Sequence, residues 1–189
     1  MSLNSDYKKK HKPLKEGVGR YHQGYYVPKL HPEKCVTLGE NVYRSDWERR
    51  LMDWFDRSPS VVRWGSEPIS VPYLNRIANF NYCVSHGLDP KNPRYWKKMN
   101  YNIDFWAEMI DTNNVVTKYF IEVKPYAQTI EQKPPKDGAK VADYKKYNEQ
   151  MKTYLVNQQK WLAMEQFCEE HGCKFMKVTE HTLKKLGLL

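Results

Sequence analysis

The sequence predicts an α/β domain whose mixed β-sheet is covered by helices. Three observations carry that expectation. Residues 101–124 read as a β-hairpin, residues 45–57 open on a helix-capping box, and residues 139–171 form a long helical stretch followed by one more strand. No internal repeat or low-complexity segment interrupts the 189 residues, so one domain, 41–189, is expected behind a basic N-terminal arm, 1–40.

The arm carries Lys8, Lys9, Lys10, Lys12, Lys15, Arg20, Lys29 and Lys34 against Asp6, Glu16, Glu33 and Glu40, eight minus four for a net of +4. Its apolar residues are sparse and without period, the composition of a flexible or loosely docked segment. Tyr21, Tyr25 and Tyr26 give it something to press against a partner or the domain.

Ser45-Asp46-Trp47-Glu48 is a capping box, and Trp47, Leu51, Trp54 and Phe55 recur at helical spacing until Ser58-Pro59. Glu48 falls beside this stripe, at the rim of the core. Two roles fit it: closing the cap, or aiming a carboxylate across the core edge. Residues 61–64 and 69–73 are short apolar strands separated by Gly65-Ser66-Glu67-Pro68. Residues 76–99, with His86-Gly87, Asp89-Pro90 and Asn92-Pro93, read as a surface connection rich in turns. Its Arg94, Tyr95, Trp96, Lys97 and Lys98 are residue types that touch phosphates and bases.

In the hairpin, Tyr101, Ile103, Phe105 and Ala107 alternate with Asn102, Asp104 and Trp106, and Tyr119, Ile121 and Val123 alternate with Phe120, Glu122 and Lys124. Asp111 to Asn114 supply turn chemistry. Asp104 and Glu122 each lie nine residues from Asn113 (113 − 104 and 122 − 113), so a fold at Asn113 sets the two carboxylates side by side. At about 4 Å they repel by roughly 4 kcal/mol at an effective dielectric near 20. They must therefore share a proton, recruit a cation or move apart, and Lys124 offsets part of the repulsion. A hard divalent ion suits such a pair, because Mg²⁺ binds through one or two carboxylates and keeps waters. A decorated, solvated strand fits the same residues.

Beyond Pro125 a charged loop, 131–138, leads to the long helix, on which Tyr144, Tyr147, Met151, Tyr154, Leu155, Gln158, Trp161 or Leu162, and Phe167 mark a broad face until Gly172. Residues 174–178 make a last strand, and Thr179 opens a short helix to Lys185. Cys168, His171 and Cys173 lie close in sequence but are spaced irregularly for zinc, and free thiols at a helix end are expected. Four cysteines without a paired pattern do not make a disulfide scaffold. No apolar run approaches the roughly 20 residues of a membrane helix, and no signal-peptide core is evident, so a non-secreted protein without a membrane partner is expected. The net charge of +9 suits a polyanion such as DNA.

Glu48 on a first helix, Asp104 on a strand and Glu122-Val123-Lys124 on the next strand resemble the PD-(D/E)xK nuclease superfamily, with its restriction-endonuclease-like core. The likeness extends through Tyr43-Arg44-Ser45, Trp47-Glu48, Trp64-Gly65-Ser66-Glu67, Val71-Pro72-Tyr73, Ile121 to Tyr126 with Gln128-Thr129, and Val156-Asn157-Gln158 with Lys160-Trp161. Together these resemble the head-completion nucleases of T-even-like phages, relatives of transposon end-cleaving endonuclease subunits. One departure stands out: Ile103 occupies the place before the aspartate where such proteins usually carry proline.

The resemblance implies a Mg²⁺-dependent DNA endonuclease, with Mn²⁺ substituting, that acts in phage head completion in the virion or host cytoplasm. Phage portal or neck proteins are its implied partners. Asp104, Glu122 and the Val123 carbonyl would hold the ion, Glu48 would join directly or through water, and Lys124 would orient or help deprotonate the attacking water. Gln128, Gln158 and Lys160 would support the site or touch DNA, and the Gln150/Tyr154 pair is similar to a fourth motif of some exonuclease branches. A silent structural head-completion protein, and a transposon-type or repair nuclease, are the alternatives.

Overall fold

A four-stranded mixed sheet forms the centre of the protein, whose computed structural model describes residues 23–37 and 40–189. In chain order the elements are β1 (Gly24–Tyr26), β2 (Asn41–Tyr43), α1 (Asp46–Arg57), β3 (Val61–Ser66), β4 (Ser70–Leu74), α2 (Arg76–Ser85), β5 (Lys98–Asn102), β6 (Phe105–Ile110), β7 (Val116–Val123), α3 (Val141–His171), β8 (Lys174–Val178) and α4 (Glu180–Lys185). The central sheet runs β3-β6-β7-β8, with β7 and β8 parallel and the other pairs antiparallel. A parallel pair requires a crossover, and α3 provides it.

Alternation along β7 divides the core into two layers. Ile121 and Val123 face α1 and α4, where Leu51, Met52, Phe55, Trp64, Phe105 and Leu183 are buried. Phe120 faces α3, where Trp161, Met164, Phe167 and Cys168 pack with Ile69, Val71, Tyr73, Tyr101 and Ile103. Only the C-terminal half of α3 is held this way; the expected stripe at Tyr144 and Leu155 is exposed. Gly172 ends α3 in the left-handed region at φ 62, as the sequence predicts.

The hairpin folds with the expected register: Phe105 faces Ile121 and Ile110 faces Val116, which places Asp104 and Glu122 one rung further on. Asp111 Oδ1 accepts the backbone N–H groups of Asn113 and Val115, and Asn114 takes φ 60. The first arm, however, is not one continuous strand from Tyr101. Pairing of β3 with β6 ends at Ser66 and Phe105 and resumes in the β4–β5 ribbon at Ser70 and Asn102. Glu67, Pro68 and Ile69 thus oppose Ile103 and Asp104, a bulge that peels the ribbon from the sheet. Ile103 consequently packs on the α3 side and Phe105 on the α1 side, although alternation puts them on one face.

A further expectation is corrected. Residues 76–85 form α2 rather than a loop, opened by Asn75, whose side chain accepts the Ala78 N–H. Asn79 then ties the helix to Lys97, donating to its carbonyl and accepting its N–H. The weak periodicity of this Asn-rich segment conceals it. Of the expected arm, residues 1–22 and 38–39 lie outside the described residues, but 24–35 are docked. β1 pairs with β2, and the buried carboxylate of Asp56 accepts the N–H groups of Lys29, Leu30 and His31 at 2.8–2.9 Å. Burial opposes ionisation of Asp56, but these three donors outweigh it and hold its pKa below the usual carboxylate range. Among the described residues no helix is long and apolar enough to cross a membrane.

Candidate active site

Three acids and one lysine converge where the bulge, the end of β7 and the start of α1 meet. Asp104 occupies the bulge, and its Oδ2 accepts the Val123 N–H at 2.8 Å, a main-chain donor that a regular ladder would pair elsewhere. The Asp104 carbonyl in turn accepts the N–H of Glu67, which sits at φ 40, an unusual conformation for a residue with a side chain. The Glu67 carboxylate is held by Arg44 Nε at 3.0 Å. Backbone strain at Glu67 is therefore fixed from two sides, and it fixes Asp104.

Glu122 is fully buried in β7. Its Oε1 lies 2.8 Å from Lys124 Nζ, and its Oε2 accepts the Tyr101 hydroxyl at 2.6 Å. Glu48 performs the capping role: its Oε2 accepts the Arg44 N–H, its Oε1 accepts the Ser45 hydroxyl, and Ser45 Oγ accepts the Glu48 N–H. The same carboxylate also lies within electrostatic reach of Glu122 and Lys124. The two roles weighed for Glu48 are thus compatible.

The electrostatics follow from crowding. Burial, then the charges of Glu122 and Glu48, hold the Asp104 carboxyl well above the usual carboxylate range despite Lys124. Burial raises Glu48 as well. Desolvation would lower Lys124, but Asp104 and Glu122 override it and push the ammonium's pKa up, so it stays charged. With all groups ionised, three carboxylates face one ammonium, a local charge of −2.

That excess and the all-oxygen donor set fit a small divalent cation. Among the described residues no group of three or more His, Cys, Asp or Glu side chains encloses an ion by itself. A cation here would rest on two carboxylates, main chain and water, which is the habit of Mg²⁺.

The remaining sequence candidates fall outside this cluster. Gln128 ends the 3₁₀ turn Tyr126–Gln128 just past Lys124, and Gln158 is half-buried on α3. Lys160 reaches the adjacent aromatic layer, its ammonium 5.5 Å from the Tyr101 ring and 5.9 Å from the Tyr73 ring. Gln150 lines a surface cavity of about 490 Å³ with Lys133, Lys136, Lys146 and Tyr147. At the far end of α3, His171 Nδ1 pairs with the Phe167 carbonyl and Cys173 donates to the His171 carbonyl, while burial pushes the Cys168 thiol up to about 12. Sequence reasoning missed Tyr101, assigned to the core face of a strand, and the pairing of Glu67 with Arg44, two residues that stood in the family-like motifs without a role.

The fold and the cluster define a restriction-endonuclease-like protein. The family model described as TnsA-like endonuclease N terminal matches residues 58–180, and the chain belongs to that family. The matched span contains Asp104, Glu122 and Lys124 and leaves Glu48 outside. The chain is also similar to the "Head completion nuclease" of Enterobacteria phage T4, at 32% identity over 168 residues that cover 88% of this chain and 96% of that protein.

Proposed function

We propose that the chain is a Mg²⁺-dependent DNA endonuclease of the PD-(D/E)xK type that hydrolyses phosphodiester bonds during phage head completion, after DNA packaging. The observation that carries this reading is the convergence of Glu48, Asp104 and Glu122, from three separate elements, on the charged Lys124. A buried excess of negative charge adds nothing to stability, and clusters of this kind mark functional sites. The phage T4 relative aligns over nearly its whole length, and its name supports the same stage of assembly; a place in the virion or host cytoplasm, and portal or neck proteins as partners, belong to this proposal.

Asp104, Glu122 and the Val123 carbonyl would hold Mg²⁺ or Mn²⁺, and Glu48 would act through a water because both its oxygens already serve the helix cap. When bound, the ion would polarise the scissile phosphate, activate water and steady the leaving oxygen. Lys124 orients the attacking water and balances developing charge from its place at the rim of the site beside Glu122. The net charge of +9 draws in the DNA backbone, and Gln128, Gln158 and Lys160 serve as supporting or DNA-contacting residues. Incubating wild-type protein and Asp104→Ala with double-stranded DNA and Mg²⁺ or Mn²⁺ tests the assignment. Cleavage by the wild type alone is expected; equal products from both proteins would overturn the site.

A further inference from the structure

Resting on that metal-site reading, we propose that Tyr101 is a positioning residue that makes Glu122 a one-oxygen ligand and thereby selects small octahedral cations over Ca²⁺. The geometry is specific. Tyr101 is 3% exposed and Glu122 2% exposed, and the hydroxyl donates to Oε2 at 2.6 Å. The other oxygen, Oε1, is held, among the described residues, by Lys124 Nζ at 2.8 Å.

These two partners differ in their freedom to leave. Lys124 sits on a flexible four-carbon stem with its side chain 26% exposed, and can turn aside when a cation arrives. Tyr101 cannot. Its ring is packed with Val71, Ile103, Trp161 and Met164, meets the Tyr73 ring edge to face at 6.5 Å, and lies under the Lys160 ammonium. A cation over a phenol face withdraws electron density from the ring and strengthens the O–H as a donor. Oε2 therefore remains occupied, and an incoming ion meets Oε1 alone.

Asp104 is constrained in the same way. Its Oδ2 accepts the Val123 N–H, a donor fixed in the sheet, which leaves Oδ1. Both carboxylates are thus presented one oxygen at a time. Ca²⁺ fills six to eight positions and gains from bidentate carboxylates, whereas Mg²⁺ and Mn²⁺ accept single oxygens at octahedral corners and retain water. The hydroxyl of Tyr101 is the part of this arrangement that a single atom's removal reverses.

The test measures Mn²⁺ and Ca²⁺ binding to the full chain without DNA, by Mn²⁺ electron paramagnetic resonance with Ca²⁺ competition. In Tyr101→Phe, Oε2 is released and the ratio of the Ca²⁺ Kd to the Mn²⁺ Kd falls by about tenfold, the scale of one charge-assisted hydrogen bond. Tyr73→Phe, which removes a neighbouring hydroxyl under the same lysine, leaves the ratio unchanged. Lys160→Met lowers it by a smaller factor and decides the matter if Tyr101→Phe does not fold. An unchanged ratio in both Tyr101→Phe and Lys160→Met, or the same factor on both ions, overturns the proposal. Wild-type Mn²⁺ binding that persists in Asp104→Asn would instead overturn the metal-site reading beneath it.

Discussion

Replacing Asp104 with asparagine is expected to stabilise the ion-free protein. The substitution keeps a side-chain oxygen to accept the Val123 N–H and removes one of three crowded carboxylate charges. One carboxylate pair about 4 to 5 Å apart repels by roughly 3 to 4 kcal/mol at an effective dielectric of about 20, and attraction to Lys124 cancels a comparable amount. Burial and Glu48 decide the balance, and the direction is that Asp104 prefers to be neutral.

A net gain of about 1 to 3 kcal/mol, the scale of one incompletely balanced charge contact at that dielectric, is expected, or roughly 2 to 10 °C in melting temperature for a domain of this size. Because the folded value lies above the unfolded one near 3.9, the stability contributed by neutral Asp104 is full below about pH 4 and is lost as pH rises through the folded value. Thermal melts in EDTA should therefore show wild type and Asp104→Asn converging at low pH and separating at neutral pH, with the variant more stable. Saturating Mg²⁺ should reverse the order, since only the wild type gains, by about 4.1 kcal/mol at a thousandfold excess over Kd. A less stable Asp104→Asn in EDTA at neutral pH would refute the charge-crowding account.

Other outcomes follow from the same structure. Lys124→Met should lower kcat for DNA cleavage by about 10² to 10³ with little change in DNA affinity, and a kcat within tenfold of wild type would remove Lys124 from the chemistry. Gly65→Ala places a Cβ 2.7 Å from Trp106 Nε1 and should destabilise by about 1 to 3 kcal/mol; an unchanged denaturation midpoint would show that the indole yields freely. Asp56→Ala leaves three backbone N–H groups without their acceptor and should abolish hydrogen-exchange protection at residues 29–31, so retained protection would contradict the proposed anchor.

The legible parts of the fold were those written in side-chain periodicity and turn chemistry. Ser45 to Glu48 announces α1, and the polar turn around Asn113 fixes the hairpin register, because each of its arms is long enough to count from. The bulge was hidden for the same reason. Tyr101, Ile103, Phe105 and Ala107 alternate so regularly that they read as one strand, while the break at Asp104 is made by main-chain bonds to Val123 and Glu67. Docking of residues 29–31 was equally invisible, since it runs through backbone N–H groups to a single carboxylate. The acidic set depended on order along the chain, but Tyr101 entered only with coordinates, because a tyrosine in a core-facing row gives no sign that its hydroxyl ends on an acid.

Crystals of the protein soaked in Mn²⁺ and measured at the manganese absorption edge test the central claim most directly. The account predicts an anomalous peak bonded to one oxygen of Asp104 and one of Glu122, with the Val123 carbonyl beside it. A peak elsewhere, with these two carboxylates still bound only to Val123, Tyr101 and Lys124, would contradict it.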